Sequence, residues 1–161
     1  MKLLLLTDLL FSGLIAGLLY AYSCSVNPGL KQLKDENYLR AMQAINLAIQ
    51  NPVFLIPFSG LLFLLPYTTF RIYRNSAHGM ELFLIATIIY IVCVFGLTML
   101  FNVQLNNRLD TFNIEAATGT ELTDMRNCFE KPWGFYHSIR TVSSIVSFAL
   151  LLLFIIKQKL L

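Results

Sequence analysis

Charge is what this sequence has least of. Only 13% of its 161 residues are Asp, Glu, Lys or Arg, while 57% are hydrophobic. That is about half the charged share of an ordinary soluble domain, and the mean hydropathy is +0.65. A globule of this length cannot hide so much apolar surface from water, so lipid is expected to solvate the excess. The positive charges are scattered along the chain, and the net charge is only +3. No Lys/Arg run offers a nucleic-acid surface, and the mild basic excess suits contact with anionic headgroups. Histidine is nearly absent too. His78 and His137 fall at opposite ends of the expected helices, which leaves no ligand set for a metal or haem. Three cysteines show no CxxC or Cys/His spacing. Cys93 reads as a small core residue. Cys24 and Cys128 share a membrane face in the topology below, where two free thiols or a disulfide both remain open.

What is present are four long apolar stretches, about 3–23, 53–73, 80–103 and 135–156. About 20 apolar residues cross the hydrocarbon layer as a helix, and backbone groups in lipid must pair within their own segment. The alternation of a membrane barrel is absent. The expectation is an all-α integral membrane four-helix bundle in one domain. Met1-Lys2 followed by Leu3 to Leu6 looks like a signal peptide, but the apolar run continues to about Tyr22, so a retained first helix is expected. Pro57, Gly60 and Pro66 should bend the second span. Gly13 and Gly17 have a small-xxx-small spacing suited to close helix packing, inside the bundle rather than between copies.

Between the first two spans, Asn27-Pro28-Gly29 should end the first helix. Residues 38–50 then read as a short amphipathic helix with Met42, Ile45 and Ile49 as its apolar stripe, lying at the interface or folded over the bundle. Residues 104–132 read as a polar loop, with Thr120 or Thr123 capping a short helix before Pro132. Lys2, Arg71, Arg74, Lys157 and Lys159 crowd helix ends on the side of the termini, which puts both termini in the cytoplasm.

The remaining polar residues are not spread evenly. Tyr22, Ser23, Ser25 and Asn27 close the first span, and Gln43, Asn46 and Asn51 belong to the connecting segment. Asn102, Gln104, Asn106 and Asn107 close the third span, and Trp133, His137, Arg140 and Thr141 open the fourth. A four-helix topology carries all of them to one membrane face. Trp133, His137, Arg140, Thr141 and Ser144 fall on one helical stripe. An arginine inside an apolar helix is costly unless paired or wet. It either snorkels to the interface beside a belt tryptophan or belongs to a polar pocket, and the neighbouring His137 favours the pocket. Asn102 and Asn106 serve equally well as glue between helices or as ligand contacts. Asp8 and Glu81 lie at the other ends of their spans. Asp8 reads as an interfacial residue, with a transporter's coupling carboxylate as the alternative.

Four blocks in this order resemble a known family. Gly17-Leu-Leu-Tyr-Ala-Tyr-Ser-Cys-Ser-Val-Asn-Pro-Gly-Leu30 is similar to the opening motif of the small membrane proteins that include fungal anthrone oxygenases and many bacterial members. Met42-Gln-Ala-Ile-Asn46 with Asn51-Pro52 resembles the second block, Phe101 to Asn107 the third, and Trp133 through His137 to Arg140 the fourth. Gln104 stands where the third block usually has proline. The resemblance implies oxidation of an anthrone-type or quinol-like aromatic by dioxygen, with neither metal nor flavin as cofactor, in a bacterial inner membrane. His137 would be the general base and Arg140 the anion stabiliser. Asn102 and Asn106 would hold oxygens, and Tyr22, Ser25, Asn46 and Trp133 would complete the substrate contacts. A protein that binds an apolar small molecule or lipid without turnover, or a small transporter, are the competing classes.

Overall fold

The computed structural model describes residues 1–75 and 79–158; His78 and Lys159 lie outside them. Five helices carry the chain. Helix α1 spans Lys2–Lys31, α2 Asp35–Ala48, α3 Pro52–Arg74, α4 Met80–Asp110 and α5 Gly119–Lys157. All but α2 are long and apolar enough to cross a membrane. The protein is thus a helical integral membrane bundle. Lipid-facing stripes run down each spanning helix, as with Leu6, Leu10 and Leu14 of α1 or Val142, Ile145 and Val146 of α5.

Two apolar cores stack along α5. The larger lies within the bundle and gathers Leu5, Ile15, Phe58, Leu61, Leu65, Phe83, Tyr90, Val94, Leu151 and Phe154. The smaller is built from Tyr38, Leu39 and Met42 of α2, Leu109 of α4, Ile114, and Phe129 and Trp133 of α5. Helix α2 is therefore folded over the bundle end. Its buried stripe is Tyr38, Leu39, Met42 and Asn46, one position round from the expected one, and Ile45 and Ile49 are only half-buried. Gln43 fixes this docking by donating to the Leu109 and Phe112 carbonyls around the end of α4, at 2.8 and 3.0 Å.

The expected polar loop at 104–132 is mostly helix. Helix α4 runs on through Gln104 to Asp110, as it can where no proline interrupts it. Helix α5 starts at Gly119 because Thr118 and Glu121 form a reciprocal capping box, a role expected of Thr120 or Thr123. Pro132 does not end it. The proline costs one helical bond to the Cys128 carbonyl, and exposed Cys128 leaves that group open to water. At about 1.5 Å per residue, α5 is about 58 Å long against a hydrocarbon layer of about 30 Å, so its first turns stand clear of lipid.

Asn27-Pro28-Gly29 likewise fails to end α1. A widened π turn at Tyr22–Val26 precedes the motif, and Pro28 falls in the first turn of the resumed α-helix, where its missing N–H costs little. Helix α3 is continuous through Pro57 and Pro66. Gly13 admits the Phe148 ring of α5, since a Cβ there would stand 3.2 Å from it, while Gly17 faces open space. Cys24 and Cys128 are both exposed free thiols.

The cap over the bundle is pinned by Arg126 of α5. It bonds Asp35 at 2.9 Å and Glu130 at 2.7 Å, donates to the Lys31 and Leu33 carbonyls, and lies 4.4 Å over the Tyr38 ring. Asp35 also accepts from Thr123 at 2.6 Å. The Thr123 hydroxyl, and then Arg126, hold the Asp35 carboxyl below the usual carboxylate range. A carboxyl depressed on folding contributes stability at neutral pH that is lost as pH falls through its lowered value. We expect the protection of α2 amides, taken relative to their intrinsic exchange rates, to fall between pH 7 and about pH 3, and Asp35→Asn to lower it already at pH 7 while removing most of the acid dependence. Identical profiles for the two proteins would refute the pin.

Candidate functional site

Arg140 sits one helical turn past His137 on α5 and is only 7% exposed. Its guanidinium donates to Thr98 Oγ1 of α4 at 3.0 Å and faces His137 Nδ1 at 3.4 Å, with the Trp133 ring 5.8 Å away. Its Nε has no partner. Among the described residues no carboxylate lies within ion-pair distance of it. A buried, unpaired cation is one of the costliest groups a membrane protein can hold. The side chain does not snorkel, and the site carries an uncompensated positive charge.

That charge orders the histidine. A guanidinium has only donors, so Nδ1 of His137 accepts and Nε2 carries the hydrogen. Nε2–H points at Ser23 Oγ, 3.0 Å away. Ser23 can pass its own hydrogen to Thr141 Oγ1 at 3.1 Å, and Thr141 donates to the His137 carbonyl at 2.8 Å. Trp133 stacks on the imidazole at 4.9 Å with the planes 10° apart. The Tyr22 ring lies at 6.1 Å and is tilted. His137 is 2% exposed overall and held from every side.

Asn102 and Asn106 act on Trp133. Asn106 Oδ1 accepts from the indole Nε1 at 2.9 Å, and Asn102 Nδ2 donates to the Trp133 carbonyl at 3.4 Å, leaving its buried Oδ1 unpaired. Asn46 is buried on α2 with an unpaired Nδ2. Ser25 is exposed and outside this arrangement. The π turn at Tyr22–Val26 presents Ser23 to His137 instead. Helix α4 has π turns at Tyr90–Gly96 and Thr98–Asn102, and the latter presents Thr98 to Arg140 and Asn102 to Trp133. Such turns insert a residue into the helical register, and they often mark functional sites. Thr98 escaped the sequence reading, although it stands four before Asn102 on the same face. No sequence signal announced the wide turns.

A half-open cleft of about 440 Å³ leads to this cluster between the end of α1 and the first part of α5, within the usual size of small-molecule sites. Ser23, His137 and Trp133 line its wall, with Tyr38, Phe135 and Pro28 beside them, and Asn27, Lys31, Glu130 and Lys131 as its charged and polar lining. Arg140, Asn102 and Asn106 stand behind that wall. Among the described residues no group of three or more His, Cys, Asp or Glu could hold a metal ion.

Fold and site together define a helical membrane protein with a polar, cationic cleft at the membrane face away from its termini. The family model described as anthrone oxygenase matches residues 38–150. The chain belongs to that family. No curated protein and no solved structure matches it.

The Trp133 clamp is directly testable because the chain has one tryptophan. Asn106→Ala leaves the indole N–H without its acceptor, at a cost of about 1–3 kcal/mol. We expect a lower unfolding midpoint and altered tryptophan emission, with neither change in Ser25→Ala. Equal behaviour of the two variants would show that Asn106 does not hold the ring.

Proposed function

We propose that the cleft binds a flat, apolar aromatic that is weakly acidic, of the anthrone or quinol class, and promotes its oxidation by dioxygen. The observation that supports this is Arg140, a buried cation with no anion beside it among the described residues. A substrate that enters neutral and ionises in place supplies the missing charge, so the site favours its anion over the neutral molecule.

Once ionised, such a compound is electron-rich enough to reduce dioxygen. In an anthrone the ring CH2 carbon loses its proton, the anion gives an electron to dioxygen, and the two radicals combine and take up a proton as a hydroperoxide. Breakage of the O–O bond with loss of water leaves the new carbonyl, so one anthrone and one dioxygen give one quinone and one water; a quinol, which already carries both oxygens, gives quinone and hydrogen peroxide. His137 was the expected base. With Nδ1 turned to Arg140, its Nε2–H is given to Ser23 Oγ, and the Ser23 hydroxyl on the cleft wall can turn from Thr141 to the substrate's oxygen; the proton leaves to water at the open mouth. Trp133 and Phe135 are placed to cover the flat rings. Arg140 acts from behind the wall, through its field and through the tautomer it imposes on His137. Asn102 and Asn106 position Trp133.

The positive helix ends on the side of the termini support an orientation with both termini in the cytoplasm. The cleft then opens toward the opposite leaflet, where a lipid-dissolved substrate reaches it without crossing the membrane.

The test is oxygen consumption by the purified protein in mild detergent with an anthrone, alongside Trp133 fluorescence as a binding readout. Loss of one preorganised donor costs about 10²–10³-fold in rate. We expect that loss in His137→Ala and in Arg140→Leu, the second of which removes a buried charge and should fold. Wild-type rates in both variants would overturn the mechanism. Tryptophan quenching by the aromatic without any oxygen uptake would identify a binding protein instead.

A further inference from the structure

The half of the bundle nearer the termini holds a second polar cluster that the cleft does not use. Asp8 of α1 is 1% exposed, and neither carboxyl oxygen has a hydrogen-bond partner. It is turned inward rather than lying at the surface. Ser12, one turn later on the same face, is 3% exposed, and Thr68 of α3 is 0% exposed; both hydroxyls are unpaired. The Thr68 hydroxyl acts on the Asp8 carboxyl, although the two do not form a well-aligned hydrogen bond.

The other buried hydroxyls provide the contrast. Thr87 bonds the Phe83 carbonyl and Thr98 that of Val94, Thr141 bonds that of His137 and Ser144 that of Thr141, and Ser147 reaches the Ala86 carbonyl. Hydroxyls in apolar helices satisfy themselves in this way when nothing else requires them. Among the described residues, the only two buried hydroxyls without a bond are the two beside Asp8.

We propose that Asp8, Ser12 and Thr68 form a binding site for a small monovalent cation of the sodium class. Four oxygens with free lone pairs are available here: two from the carboxylate, one from Ser12 a helical turn away, and one from Thr68, which acts on the carboxyl. A cation there accepts from all four and cancels the charge of Asp8. A proton on Asp8 also removes the charge, but the side chains must then turn to pair the carboxyl with the two hydroxyls, and in the structure they are not so paired. Water matches the hydroxyls but leaves a carboxylate buried in an apolar bundle. A divalent ion is disfavoured because a single carboxylate leaves it half neutralised. No charged residue acts on Asp8 among the described residues. The other acid of this half, Glu81, is exposed.

The test is thermal unfolding of the full chain in mild detergent, in sodium chloride against choline chloride at equal ionic strength. Saturating sodium should raise the wild-type midpoint by on the order of 5 °C through preferential binding to the folded state. Thr68→Val keeps the shape and loses one ligand, so its sodium shift should shrink. Asp8→Asn should lose the shift and be the more stable protein in choline, because it removes an unpaired buried charge. No sodium-specific shift in the wild type overturns the site, as does a full shift in both variants. Should Asp8→Asn fail to fold, Ser12→Ala and Thr68→Val carry the same comparison. A carbonyl band of a protonated carboxyl in the infrared spectrum at neutral pH in sodium, absent from Asp8→Asn, would assign the cluster to a proton and overturn the proposal too.

Discussion

The site depends on the need to keep one guanidinium charged inside an apolar helix. Arg140 cannot reach water, and the described residues give it no acid to pair with. The protein solvates it with what the neighbouring helices can offer: a hydroxyl from α4, an imidazole one turn earlier on its own helix, and an aromatic face. Each of these must then be held. Ser23 and Thr141 fix His137, while Asn106 and Asn102 fix Trp133. The π turns at Tyr22–Val26 and Thr98–Asn102 supply Ser23, Thr98 and Asn102 at the required angles. Remove the charge and most of these polar contacts lose their purpose.

The two cores divide the labour. The bundle core is oil against oil, which in lipid fixes little beyond close packing. The cap core lies above it, and there water makes apolar burial and ion pairs directional. Trp133 belongs to that core and also stacks on His137. The cap therefore sets the cleft wall, and Arg126 and Gln43 set the cap.

Much of this was legible in the sequence because lipid imposes hard rules. Span number and helical class follow from run length and from the ban on unpaired backbone. The convergence of Trp133, His137, Arg140, Asn102 and Asn106 follows from span parity and the 3.6-residue period. What escaped depends on local register. Wide turns have no composition signal, so Ser25 was favoured where Ser23 stands at His137. The segment 104–132 was read as a loop because its residues are polar, yet polar residues form helix readily when a capping box starts it and an amphipathic partner such as α2 covers it. Family membership could be read from ordered motifs, but no motif specifies the tautomer of His137. That follows only from which of its nitrogens meets Arg140.

The two buried charges of opposite sign have not found each other. Asp8 and Ser23 lie fifteen residues apart on α1, about 22 Å along the helix, and Ser23 marks the level of His137. Even at an effective dielectric of 20, charges at that separation attract by less than about 1 kcal/mol. Burial of either alone costs several times as much. Neither can serve as the other's counter-ion, so each end of the bundle needs its own. On the readings proposed above, at the cleft that partner is an anion which a weakly acidic substrate can become, and at the other end it is a small cation beside Asp8. The same electrostatic argument thus assigns opposite ligand charge to the two ends, and the rigid apolar core between them keeps the two sites from neutralising each other.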